Sequence, residues 1–322
     1  MKIDILKCHG SGNDFIIIDE MNGRYSFTEE ERVILSKQLA GRDKTIGSDG
    51  ILFIQDSHQA HAKMRMFNTD GTEAEMCGNG LRCVARYVIE RLGEEQVIIE
   101  TMKANLKVAQ VQEIYEEIPT FEVAIKPVSL RTESLPLISE QPEHIDQVIK
   151  ALHPTMKFTA LSVPNPHIVT VVDNVDEDEM RQIGEKANQL KMTFPNGVNV
   201  SFLRQVDDGR IFVQTFERGV GLTNACGTAM SASSLVSCLL GMNTFHEKIL
   251  VLNPGGMVQC LVEKDDHDRY SIALRGNATY EFEATITLDF SNPDQAEMVD
   301  QTVFEEEIAL YDKLAQAAKE MA

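Results

Sequence analysis

The chain reads as an α/β protein with mixed sheets, built from two related halves. Three observations predict this. Strand-like runs alternate with segments of helical period. Two Cys-Gly turns each open a helix. Matching residues in the two halves keep a nearly constant separation. With 322 residues there is length for two ordinary domains, each able to bury a core, and 43% hydrophobic with 25% charged residues is globular composition.

The separation is the strongest of the three. Phe67 and Phe216, Asn68 and Glu217, Cys77 and Cys226, and Gly78 and Gly227 are each 149 positions apart. Phe53 and Phe202, in the runs ILFIQ and VSFLRQ, keep the same spacing. Upstream, the stretch from Asn13 to Asp19 matches that from Asn165 to Asp173 at a spacing near 152. So long a period implies a duplicated folding unit and not a solenoid.

Local signals place the helices. Thr28 and Glu31 form a capping box ahead of Val33, Leu35 and Leu39, which predicts a helix over 28–40. In GNGLRCVARYVIERLG, residues Leu81, Val84, Ala85, Val88, Ile89 and Leu92 follow the helical period, and Gly93 is a stop signal. The matching segment of the second half, GTAMSASSLVSCLLG, ends at Gly241 and carries no charge, so it predicts a helix buried on most faces. Cys83 and Cys238 fall inside these two helices and read as core. The Pro-bearing stretch 129–160 suits the crossing between halves. Beyond about residue 294 the tail is acidic. Phe304, Ile308, Tyr311 and Leu314 predict an amphipathic helix there, packed on a domain or on a partner, with no chemical signature.

Composition excludes several classes. A net charge of −20 argues against nucleic acid or an anionic membrane as the main partner. No apolar run approaches the roughly 20 residues that cross a bilayer, and MKIDILKCHG lacks the marks of a signal peptide, so a cytoplasmic protein is expected. The six cysteines, at 8, 77, 83, 226, 238 and 260, are then expected as thiols. No CxxC occurs, and His58 and His61 read as loop residues, so no metal site is expected. Gly10-Ser11-Gly12 lacks the spacing and following helix of a dinucleotide turn.

Cys77 and Cys226 carry the chemistry. Each precedes a glycine at a helix start, where unpaired N–H groups and the positive end of the helix dipole favour a thiolate. The same N–H groups can hold a carboxylate. A cysteine before a helix is by itself an ordinary structural residue, but two at matched positions read better as a catalytic pair. Inverting a centre α to a carboxylate needs one base on each face, and helix N-termini can stabilise the charge that develops. Such a reaction requires neither metal nor pyridoxal phosphate, and no cofactor is expected. A non-catalytic amino-acid-binding protein is the alternative of a different class, although binding alone needs neither sulfur.

Five ordered runs carry a family resemblance: HGSGNDF (9–15), FNTDGTEAEMCGNGLRC (67–83), PNPH (164–167), GVNVSF (197–202) and ERGVGLTNACGT (217–228). Together they resemble the diaminopimelate epimerases from Lys7 to about Gly276. The resemblance implies two pseudo-symmetric domains, each a barrel-like mixed sheet around a central helix, with the active site in the cleft between them. The domains are then residues 1–125 with 277–322, the latter carrying the acidic helical extension, and residues 126–276. The resemblance also implies interconversion of L,L- and meso-diaminopimelate in lysine and cell-wall precursor synthesis, by a homodimer. It makes Cys77 and Cys226 the proton-transfer residues. Gly78, Asn79, Gly227 and Thr228 would cradle the reacting carboxylate, with Asn13 close by. Asn68, Asn165, Asn199, Glu217 and Arg218 would read the substrate. His167 and Glu217 would tune the cysteines. Arg218 suits a carboxylate and Glu217 an ammonium, as a two-headed amino acid requires. Four features depart from the family pattern: Leu222 in place of a common Glu, Gly50 where some members have Gln, Pro164 in place of Gly, and the extended tail. They leave room for a racemase or isomerase of another amino acid.

Overall fold

The computed structural model describes residues 1–74, 77–135, 137–139 and 141–322. Glu75 and Met76, from the 67–83 run, and Pro136 and Glu140, from the 129–160 stretch, lie outside the described residues. The chain divides into two compact units, Met1–Val123 with Gly276–Leu314 and Ala124–Arg275 with Ala315–Ala322.

In the first unit β1 (Lys2–Gly10) and β2 (Asn13–Asp19) form an antiparallel pair, followed by α1 (Glu29–Leu35). Next come β3 (Gly50–Gln55), β4 (Ala62–Asn68), β5 (Glu73–Ala74), α2 (Gly78–Leu92), β6 (Gln96–Glu100), β7 (Asn105–Val111) and β8 (Thr120–Ile125). β2 runs parallel to β3, β3 antiparallel to β4, and β4 antiparallel to β5 and parallel to β6. α2 packs against β1, β2, β3, β4, β6 and β7. Its residues from Gly78 to Ile89 are buried except for the half-buried Tyr87, and Gly93 ends it in the left-handed conformation at φ 70°.

The second unit repeats this order with β9 (Gln147–Val148), β10 (Lys157–Ser162), β11 (Pro166–Val171), α3 (Glu177–Gln189), β12 (Asn199–Asp207), β13 (Arg210–Glu217) and β14 (Gly221–Thr223). α4 (Gly227–Leu239), β15 (Lys248–Asn253), β16 (Gly256–Lys264) and β17 (Tyr270–Asn277) complete it. The ladders share one register. Ile51 faces Phe67 as Val200 faces Phe216, and Phe67 faces Glu73 as Phe216 faces Leu222. The parallel partners Ile16 and Ile51 correspond to Ile168 and Val200. A one-residue slip would have moved every side chain to the opposite face, so the common register preserves the inward set.

α4 is buried along its length from Gly227 to Cys238. Three of its serines help make this possible, since Ser231, Ser234 and Ser237 donate their hydroxyls to the carbonyls of Gly227, Met230 and Ser234 at 2.7–2.8 Å. Buried hydroxyls satisfied within the helix avoid the cost of lost water contacts.

The structure departs from the sequence reading at several points. The 129–160 stretch is not a bare crossing, because Leu135, Leu137, Ile149, Leu152 and Phe158 lie in the core of the second unit. The predicted helix over 28–40 keeps its capping box but passes into a wider π turn over Ser36–Ala40. α3 had no counterpart in the reading. It starts where Asp176 accepts from the backbone N–H groups of Asp178 and Glu179.

Returning to the first unit, β18 (Thr279–Thr287) pairs with β1, and β19 (Glu297–Val303) with β18. The acidic tail ends in α5 (Glu305–Met321). Leu314 and Ala318 are its buried face, and Glu307 forms a two-pronged ion pair with Arg86 at 2.7 Å. The last eight residues, expected with the first domain, group with the second unit, where Arg204 of β12 donates to the carbonyl oxygen of Ala322.

Candidate active site

Each unit carries its cysteine at the same point, as the N-cap of its buried helix with extended backbone. Cys77 has φ −146° and ψ 109°, and Cys226 has φ −130° and ψ 108°. The short β4–β5 and β13–β14 hairpins bring the chain to these helix starts. Asn68 serves the first hairpin, with its side-chain amide 2.9 Å from Thr72 Oγ1.

In the first unit the Gly80 N–H donates to Cys77 Sγ at 3.3 Å, and the Cys77 thiol donates to Asn13 Oδ1 at 3.8 Å. The Asn79 side-chain amide donates to the same oxygen at 3.1 Å. Asn13 Nδ2 in turn donates to Asp49 Oδ2 at 2.5 Å. Asp14, the next residue of β2, is held by Lys7 and by the two terminal guanidinium nitrogens of Arg42 at 2.5 and 2.9 Å. Burial pushes the Asp14 carboxyl up, but Arg42 and Lys7 outweigh it and hold the group below its ordinary range. Among the predicted residues, the structure brings Cys77, Gly78, Asn79 and Asn13 together here.

In the second unit Cys226 Sγ lies 3.5 Å from Thr228 Oγ1, which is 3.1 Å from His167 Nε2. The same nitrogen is 3.0 Å from Asn165 Oδ1 and 3.4 Å from Asn199 Nδ2. Asn199 Oδ1 accepts from the backbone N–H of Arg218 at 2.8 Å. Nε2 thus faces an acceptor in Asn165 Oδ1, a donor in Asn199 Nδ2 and the Thr228 hydroxyl, which can play either role. Nδ1 is buried with no partner, so the ring is neutral. Burial, helped by Arg218, holds His167 down at about 3. The Thr228 hydroxyl therefore links the imidazole to the Cys226 sulfur.

The Cys226 thiol departs from the sequence expectation. Burial and then the neighbouring Glu217 carboxylate push it well above its ordinary range, although Thr228 and the Ala229 N–H pull the other way. A helix start alone does not make a thiolate when the sulfur is desolvated beside an anion. Glu217 also accepts from Thr223 Oγ1 at 2.7 Å.

Arg218 is exposed, and its guanidinium donates to the Asn196 carbonyl at 2.8 Å. Gly197, at φ 73°, admits the Arg218 stem: a Cβ there would lie 2.8 Å from Arg218 Cδ. The departures Leu222 and Gly50 are both structural in surroundings. Leu222 packs on the core of the second unit, and a Cβ on Gly50 would sit 2.6 Å from the Phe67 carbonyl oxygen.

A family model described as diaminopimelate epimerase matches residues 5–119 and 159–281. The chain belongs to the diaminopimelate epimerase family. A diaminopimelate epimerase from Clostridium acetobutylicum is 47% identical over 97% of this chain and 94% of its own length. One from Listeria monocytogenes is 40% identical over 99% and 97%. These two alignments run into the tail beyond the family model, so the tail is not peculiar to this chain. Among solved structures, a Bacillus anthracis phenazine biosynthesis protein of the PhzF family aligns with a TM-score of 0.66 at 17% identity, covering 89% of this chain and 100% of that one. That likeness supports the mixed α/β fold alone. Among the described residues no helix is long and apolar enough to cross a membrane.

The sequence reading did not single out Asp49, Arg42 or Lys7. An aspartate directly before a strand-like run is a weak signal. Its place beside Asn13 follows only from the parallel pairing of β2 with β3.

Proposed function

We propose that this chain epimerises L,L-diaminopimelate to the meso form without a cofactor, as its relatives are named for doing, with Cys77 and Cys226 as the two bases. The observation that carries this is the pair of sulfurs at equivalent helix N-caps on ladders of one register. In the proposed reaction one cysteine, as thiolate, takes the α-proton. The electron pair left on carbon spreads into the carboxylate, which the N–H groups of Gly78–Asn79 and Gly227–Thr228 would hold. The other cysteine, as thiol, returns a proton to the opposite face, and no atom is gained or lost beyond this exchange. Asn68, Asn165, Asn199, Glu217 and Arg218 would read the remainder of the substrate, the Arg218 guanidinium suiting the distal carboxylate. We further propose two pseudo-symmetric, barrel-like domains meeting at an active-site cleft, a homodimer, and a cytoplasmic role in lysine and cell-wall precursor synthesis. These rest on membership of the family.

The test is incubation with L,L-diaminopimelate in deuterated water without added cofactor. Deuterium at the α-carbon and formation of the meso isomer are expected. Replacing Cys77 or Cys226 by Ala should reduce turnover by at least about 100-fold. Exchange on another amino acid with none on diaminopimelate would overturn the substrate, and full activity in either variant would overturn the two-base scheme.

A further inference from the structure

We infer that Asp49, held by Arg42, is a positioning residue that fixes the Asn13 amide so that its oxygen faces the Cys77 thiol; this rests on the reading of Cys77 as a reacting group. Asp49 sits one position before β3, whose first residue Gly50 is the parallel partner of Phe15 in β2. The pairing brings its carboxylate to the start of β2. There Oδ2 accepts from Asn13 Nδ2 at 2.5 Å and from the Asp14 N–H at 3.2 Å, while the Asp49 N–H donates to the Asp14 carbonyl at 2.9 Å. Arg42 holds the other oxygen at 2.7 Å and is itself clamped to Asp14.

A carboxylate only accepts hydrogen bonds, so the NH2 end of Asn13 must face Asp49 and the carbonyl end must face the other way. That end meets Cys77 Sγ and Asn79 Nδ2. An amide oxygen also only accepts, so the sulfur it meets is favoured as S–H, against the pull of the Gly80 N–H and the helix start toward thiolate. Without Asp49 the amide could turn over and present its NH2 group to the sulfur. The position of the second half matched to Asp49 is Val198, which has no carboxylate to anchor an amide.

The test is a double-mutant cycle of Asp49→Ala with Asn13→Ala, read in two ways. For epimerisation, each single variant should lower kcat/KM by about tenfold or more, and the double variant should fall no further than Asn13→Ala alone. For alkylation of Cys77 by iodoacetamide, followed on its peptide by mass spectrometry, Asp49→Ala should raise the rate several-fold in the wild-type background. It should change nothing in the Asn13→Ala background. Losses that multiply in the double variant, or a Cys77 alkylation rate untouched by Asp49→Ala, would overturn the proposal. The alkylation arm needs no substrate, so it stands if the assigned substrate fails. Should Asp49→Ala not fold, Asp49→Asn keeps the shape while allowing either amide orientation, and the same cycle applies.

Discussion

At the scale of single residues, the two cysteines have different surroundings despite equivalent places in the chain. Cys226 is desolvated beside Glu217, and both effects favour its thiol form. Glu217→Gln removes the anion while keeping the size, so the Cys226 thiol should ionise at lower pH. Its alkylation by iodoacetamide should then reach half-maximal rate at a lower pH than in the parent. An unchanged midpoint would mean that burial alone sets it. Much of this surrounding was legible in the sequence, because Glu217, Thr228 and His167 stand in runs that carry the family resemblance. The sign of the effect at Cys226 was not. A helix start is visible in a sequence, whereas the depth at which the sulfur is buried is not.

At the scale of elements, the helices whose signals lie within a few residues were readable. α1 has its capping box, α2 its apolar stripe and closing glycine, and α4 its lack of charge. α3 was not, because Met180, Ile183 and Ala187 give only a narrow buried face between charged residues. The apolar residues of 129–160 are irregularly spaced and find the core only through tertiary contacts. α3 also supplies an element-scale prediction. Gly184 faces β13 so closely that an added Cβ would lie 2.3 Å from Phe216 Cγ. Gly184→Ala should gain up to about 1 kcal/mol of helix propensity but lose more by overpacking, typically 1–3 kcal/mol. Thermal unfolding should therefore shift downward. An upward shift would show that Phe216 gives way freely.

At the scale of the whole molecule, acid sensitivity follows from the buried imidazoles. Burial lowers His9 to about 4 and His167 to about 3 from an ordinary 6.5. Between those values the unfolded chain binds more protons than the folded one. The stability from the neutral rings is thus complete above pH 6.5 and is lost as pH falls, by about 1.4 kcal/mol per pH unit for each histidine. Glu281, held above its ordinary range by burial, opposes this loss as pH falls through its raised value. The melting temperature should fall from pH 7 to pH 5, and neither ring should titrate by proton resonance in that interval. A midpoint near 6.5 for either ring would contradict its burial. The shared register has a further consequence for turnover. In the two-base inversion proposed above, the sulfur that gives up its proton would end bare and the other loaded, so each cycle would leave the catalyst in the mirror of its starting state. Because an anchored amide oxygen serves one sulfur and a carboxylate with a hydroxyl the other, those mirror states would be unequal in energy. On that scheme the two stereoisomers would draw on unequal pools of ready enzyme, and the wait for solvent to restore each pool would differ with the direction of the reaction.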